Sequence, residues 1–146
     1  MEIDVGFLDK LKFQAWDSVG AIVALIDRWT PGKCKTEKEY EKSLYVFLHE
    51  ELGDLQITKQ YAQGRIRADL MVSDKVVVEL KHNLNSTAKY QRLIGQLAEY
   101  KEWRGRIVVL LVGDTDPNLR KRLSEYLKKE GLEDELLGDK VTVLEK

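Results

Sequence analysis

The chain has 146 residues, 34% of them charged and 43% apolar, and its 24 basic and 25 acidic side chains leave a net charge of −1. That length suits one domain with a proper hydrophobic core, and the composition excludes a disordered chain. The near-neutral balance excludes nucleic-acid binding driven by overall charge, so any such binding needs a local patch. The longest apolar runs, "AIVALI" and "IVVLLVG", fall far short of the ~20 residues that cross a bilayer. No secretory pattern opens the chain. Cys34 is the single cysteine, without the Cys and His company of a zinc site. An intracellular, cytoplasmic protein with no membrane contact is expected.

From about Phe7 to Trp29, Leu8, Leu11, Ala15, Val19, Ile22, Val23 and Ile26 recur at helical spacing, which predicts an amphipathic helix. Pro31 and Gly32 end it. Thr36 with Glu39 three residues on is a capping-box signature. Tyr40, Leu44, Phe47 and Leu48 then form the apolar stripe of a second helix that Gly53 stops. "LQITKQYA", "RIRADLMV" and "KVVVELK" read as strands. "STAKYQRLIGQLAEYKEW" is helical, with Leu93, Ile94, Leu97 and Tyr100 on one side. "RIVVLLVG" is a continuous apolar run, as a central strand covered on both faces requires. "DPNLRKRLSEYLKKEG" has Asp at its cap, Pro in its first turn and Gly at its end, and "KVTVLEK" adds a short last strand. The order α-α-β-β-β-α-β-α-β predicts a single domain over residues 1–146. Its fold class is α/β, a three-layer α/β/α sandwich around a central mixed β-sheet.

The hairpin from Gly64 to Lys81 carries the chemistry. If its strands alternate regularly, Ile66, Ala68, Leu70 and Val72 share one face, and Arg67, Asp69 and Met71 the other. On the second arm, Val76, Val78 and Leu80 oppose Val77, Glu79 and Lys81. Burying both apolar sets on one side needs a three-residue loop, Ser73-Asp74-Lys75, which pairs Leu70 with Val78 and Ala68 with Leu80. That register also sets Asp69 opposite Glu79 and Arg67 opposite Lys81. Opposed like charges destabilise a sheet, and two carboxylates ~5 Å apart repel by roughly 3 kcal/mol at an effective dielectric of ~20. A divalent cation between them would turn the repulsion into a binding site. A diagonal cluster in which Arg67 and Lys81 neutralise both acids on a solvated face is an equal alternative.

Asp69 followed by "ELK", Glu79 to Lys81, resembles the signature of the PD-(D/E)XK nuclease superfamily. Glu41 in the preceding helix stands where that family often has a glutamate facing the site; Glu37, Glu39 and Glu50 compete for the role, and Glu41 borders the apolar stripe. "QLAEY", Gln96 to Tyr100, is similar to the Q-x-x-x-Y element of RecB-like members, and its i, i+4 spacing puts both side chains on one helix face. The resemblance covers about residues 36–113, outside the N-terminal helix of about 7–29 and the C-terminal helix and strand of about 116–145. Ala68 departs from it, standing where the eponymous proline would be.

The resemblance implies a restriction-endonuclease-like core (αβββαβ) with an extra N-terminal helix, and a metal-dependent nuclease acting on DNA and leaving 5′-phosphate and 3′-hydroxyl ends. It implies Asp69, Glu79 and the Leu80 carbonyl as metal ligands, and Lys81 orienting the attacking water. Glu41 would reach the metal through water, and Gln96 and Tyr100 would position substrate or Lys81. Mg²⁺ is the expected ion, with Mn²⁺ as a substitute, since few protein oxygens and many retained waters suit it. Arg65, Arg67, Lys89 and Arg92, with Lys59, flank these residues and are candidate phosphate contacts, although each taken alone is better read as a solvated surface charge. His82 is a candidate lining of the cleft. Trp16, Trp29 and Trp103 are expected in packing or facing a partner. Double-strand cutting would need a homodimer. A catalytically inactive module of the same fold, binding nucleic acid or a protein partner, is the competing function.

Overall fold

The computed structural model describes residues 18–146 apart from 65, 135 and 137. The first part of the predicted N-terminal helix, residues 7–17 with Leu8, Leu11, Ala15 and Trp16, lies outside the described residues, as does Arg65. Helix α1 runs Ser18–Arg28 and α2 Glu37–Leu52. Strands β1 (Ile57–Gln63), β2 (Ile66–Val72) and β3 (Val76–His82) follow, then α3 (Thr87–Glu99), β4 (Arg106–Val112), α4 (Pro117–Lys129) and β5 (Val141–Glu145). The predicted punctuation forms. Thr36 Oγ1 accepts from Glu39 N, and the Glu39 side chain accepts from Thr36 N in return. Asp116 caps α4 ahead of Pro117.

The five strands form one mixed sheet in chain order. β1, β2 and β3 are antiparallel neighbours, whereas β3–β4 and β4–β5 are parallel. The parallel steps need crossover helices, and two crossovers made in the same direction with the usual right hand place α3 and α4 on one face. The sheet thus carries two apolar cores. Leu25, Ile26, Leu44 and Leu48 of α1 and α2 meet Val78, Leu80, Val108 and Leu110 on one side. Leu93, Leu97, Leu119 and Leu123 of α3 and α4 meet Val77, Ile107, Val109 and Leu111 on the other. β4 feeds both, which is why its sequence is apolar without alternation. Trp29 and Trp103 are buried in these cores. No helix among the described residues is long and apolar enough to cross a membrane.

The hairpin loop is the three-residue one, closed by the pair Val72–Val76. Ser73 and Asp74 take φ of +50° and +57°, and aspartate is among the few non-glycine residues that occupy this region readily. Leu70 pairs with Val78 as expected, but there the β2–β3 ladder ends. Asp69–Glu79, Ala68–Leu80 and Arg67–Lys81 are not ladder partners.

Regular alternation along β2 also fails. Leu70 and Val72 point into the α1/α2 core, while Ala68 and Ile66 pack in the α3/α4 core. The cause lies at one step shared with β1. The β1–β2 register is constant on both sides, Lys59–Leu70 and then Tyr61–Ala68, but Gln60 and Asp69 are left unpaired between them. Gln60 has φ +51° in mid-strand. This left-handed residue turns the chain over, so both strands exchange faces together.

Candidate active site

The unpaired step delivers Asp69 into the gap where β2 leaves β3. Its Oδ2 accepts the Leu80 N–H at 2.8 Å, a backbone group that regular pairing would have given to a strand carbonyl. Leu80 points its side chain into the α1/α2 core, which turns Glu79 to the opposite face, toward α3. Glu79 is 1% exposed and is the single buried charged side chain among the described residues. Gln96 Nε2 donates to its Oε1 at 3.1 Å, Tyr100 Oη lies 2.9 Å from its Oε2, and Lys81 Nζ stands 3.7 Å from Oε1. Tyr100 also donates to the Arg67 carbonyl. A phenol has one proton, so both contacts are satisfied when Glu79 is protonated and donates to the phenol oxygen.

Burial raises the Glu79 pKa to about 8, with the Asp69 charge next in effect and Lys81 acting the other way. Asp69 is raised to about 6, first by burial and against the pull of the Leu80 hydrogen bond. Glu79 feels the Asp69 charge at short range, so the two carboxyls are near neighbours without facing each other across a ladder. Tyr100 is held neutral by burial and by Glu79. Two carboxyls, desolvated and mutually repelling beside one lysine, are stabilised by a proton or by a cation.

Two glutamates of α2 border this pair, one more than expected. Glu41 Oε1 accepts from Gln60 Nε2 at 2.7 Å, and Glu37 Oε2 accepts the His82 N–H at 3.2 Å. Both raise the Asp69 pKa. Glu39 serves the cap of α2, and Glu50 is exposed. The i, i+4 spacing of Glu37 and Glu41 was the available signal that they share a helix face. Gln60 gave none, because a mid-strand left-handed residue has no sequence mark when it is not glycine.

Gln96 and Tyr100 come together as anticipated, but both grip Glu79, not Lys81. Arg67 does not join the acids either. Its guanidinium folds onto the carbonyls of Gly64 and Ile66, so the salt-bridge cluster reduces to Lys81 and Glu79. Lys81, His82, Lys89 and Arg92 line a hollow of about 220 Å³ with Glu37 and Leu84. The Lys89 ammonium is anchored on the Asn83 carbonyl at 3.0 Å, and the His82 ring lies 5.0 Å from that of Tyr40. A second hollow of about 560 Å³ has Asp69, Glu37 and Glu41 in its wall.

The donors suit a hard divalent ion. No group of three or more His, Cys, Asp or Glu among the described residues is arranged to hold a metal. The protein would bring the two carboxylates and leave other positions to water, as Mg²⁺ prefers. Gln96 Oε1 is a buried acceptor without a donor, and a hydrated ion carries such donors. No protein-family model, curated protein or solved structure matches this chain.

Proposed function

We propose that this chain is a metal-dependent nuclease that hydrolyses phosphodiester bonds in DNA, on a restriction-endonuclease-like core of α2, β1, β2, β3, α3 and β4. The observation that carries the reading is Glu79, a carboxyl kept out of water beside Asp69 and Lys81 by Gln96 and Tyr100. Stability alone gives no reason for that arrangement, since an apolar residue there would cost less.

Mg²⁺ would be held by Asp69 and Glu79, with the Leu80 carbonyl as a third oxygen. Bound there, it would polarise the phosphate and lower the pKa of a coordinated water. Lys81, with a side chain only 16% exposed, orients the attacking water and neutralises charge developing on the phosphate. Gln96 and Tyr100 fix the rotamer of Glu79, and Gln60 fixes that of Glu41. Glu41 and Glu37, which border the pair, would accept hydrogen bonds from waters of a bound ion.

The test is cleavage of plasmid, linear and branched DNA and of RNA, with and without Mg²⁺ or Mn²⁺, beside Asp69→Ala and Lys81→Ala. Cutting should require the metal and fall by about 10²-fold or more in both variants. Nucleic acid bound equally by wild type and both variants, with none cut, would replace the enzyme by the inactive binding module.

A further inference from the structure

The two hollows beside these acids form one groove. Glu37 belongs to the walls of both hollows, so the two adjoin across it. On the α3 side the groove is lined by Lys81, Lys89 and Arg92, and on the α2–β1 side by Lys38, Lys42 and Lys59. Glu37 stands where the hollows meet, and Asp69 and Glu41 share the second hollow with Lys38, Lys42 and Lys59. A chain of net charge −1 has therefore gathered cations along one track.

Several of these cations have nothing else to do. The ion pairs formed among the described residues join Arg28 to Glu51, Lys81 to Glu79, Lys101 to Glu130 and Arg120 to Glu145. Lys38, Lys42 and Arg92 have no ion-pair partner among those residues. Lys59 lies 4.7 Å over the Tyr45 ring, which in turn stacks on His49 at 5.9 Å. Cations spaced along a groove suit a polynucleotide backbone.

We propose that a polynucleotide strand passes through this groove and continues beyond the acids on both sides, so that cleavage is internal. The α3 arm holds phosphates on one side of the scissile bond, and the α2–β1 arm holds those on the other. A device that trims ends needs phosphate contacts on one side and a stop on the other. Here, among the described residues, both sides carry cations. The inference rests on reading the acids as a phosphodiester-cutting centre, but its test separates the two.

Binding is measured first, by fluorescence anisotropy of fluorescein-labelled thymidine and uridine oligomers, on full-length protein made non-cutting by Asp69→Asn. Arg92→Ala and the pair Lys38→Ala/Lys42→Ala should each weaken binding several-fold. For every phosphate that a variant no longer neutralises, the slope of log K against log salt should become shallower by about 0.7. The pair Lys38→Arg/Lys42→Arg should keep the affinity. An unchanged affinity and slope in Lys38→Ala/Lys42→Ala would overturn the proposal. Cleavage is measured second, with Mg²⁺, on single-stranded circles and closed plasmid beside linear strands. Opened circles are expected. Linear strands shortened from their ends while circles stay intact would overturn internal cleavage and leave the nuclease reading standing. If nothing is cut, the nuclease reading fails, and two-armed binding is still decided by the first measurement.

Discussion

The two ends of the β2–β3 hairpin are built from the same strands to opposite ends. Near the turn, Val72–Val76, Met71–Val77 and Leu70–Val78 pair in an unbroken ladder, and all six side chains are buried. Backbone groups satisfy one another there, and apolar area leaves water at about 25 cal/mol per Å². One residue further on, the ladder is abandoned. Leu80 N–H turns to a carboxylate, Glu79 is buried by partners from α3, and Lys81 follows at the rim. A closed ladder has no spare groups and so can only stabilise. Ending it beside the unpaired step of Gln60 and Asp69 releases polar groups in a low-dielectric setting, where they act strongly on whatever binds.

The harshest way to break this contrast is to put an acid into the closed end. Val78→Asp buries a carboxylate that has no counterpart of Gln96, Tyr100 or Lys81, and the loss should be about 3–5 kcal/mol, as for an uncompensated buried charge. The chain should fail to give a cooperative melt by circular dichroism. If it melts near the wild-type temperature, burial of Glu79 implies nothing special about the open end.

The next effect is a pH dependence confined to the open end. Glu79 and Asp69 are raised in the folded state to about 8 and about 6 from ordinary values of 4.5 and 3.8. Between these limits the native state holds more protons than the unfolded one, so stability falls as pH rises from about 4 to about 8 and then levels. Glu79→Gln, which cannot ionise, should flatten most of that fall in thermal melts and should also abolish cleavage. Mg²⁺ should stabilise wild type more at pH 8.5 than at pH 5, because binding must displace the protons at low pH. A profile with Glu79→Gln that keeps the wild-type slope would assign the titration elsewhere.

The smallest change sharpens the comparison at the step itself. Gln60 occupies a backbone region that costs a non-glycine residue about 1–3 kcal/mol. Gln60→Gly should therefore raise stability by about 1 kcal/mol in urea melts. It should also lower cleavage, because Glu41 is no longer anchored by the Gln60 amide. A stability gain with unchanged cleavage would show that Glu41 needs no holding.

Much of the fold could be read without coordinates. Helix caps at Thr36 and Asp116, the breaks at Pro31 and Gly53, and the apolar run of β4 are local signals, and each formed where it was expected. The loop of the hairpin also followed from the patterning, because only a three-residue turn matches the apolar residues of its arms near Val72 and Val76. Further along, the same rule misplaced Ala68 and Ile66. Period-two alternation assumes a strand without interruption, and the reversal at Gln60 and Asp69 involves two residues on different strands that meet only in the sheet. The alternative in which Arg67 neutralises the acids did not form for a related reason. Its side chain found carbonyls in its own turn before any acid across the strands.

The residue types of the site, and the pairing of Gln96 with Tyr100 on one helix face, were determined by the sequence itself, since helical periodicity needs no tertiary contact. Which partner each group takes was decided only by the assembled sheet. Burial, and with it the shifted ionisation of Glu79, arises when α3 closes over β3. The second helix glutamate, the kink that aims Asp69 and the cations of the two hollows that meet at Glu37 depend on which surfaces adjoin in space. A one-dimensional pattern reports neighbours along the chain, whereas desolvation and charge act between neighbours through space.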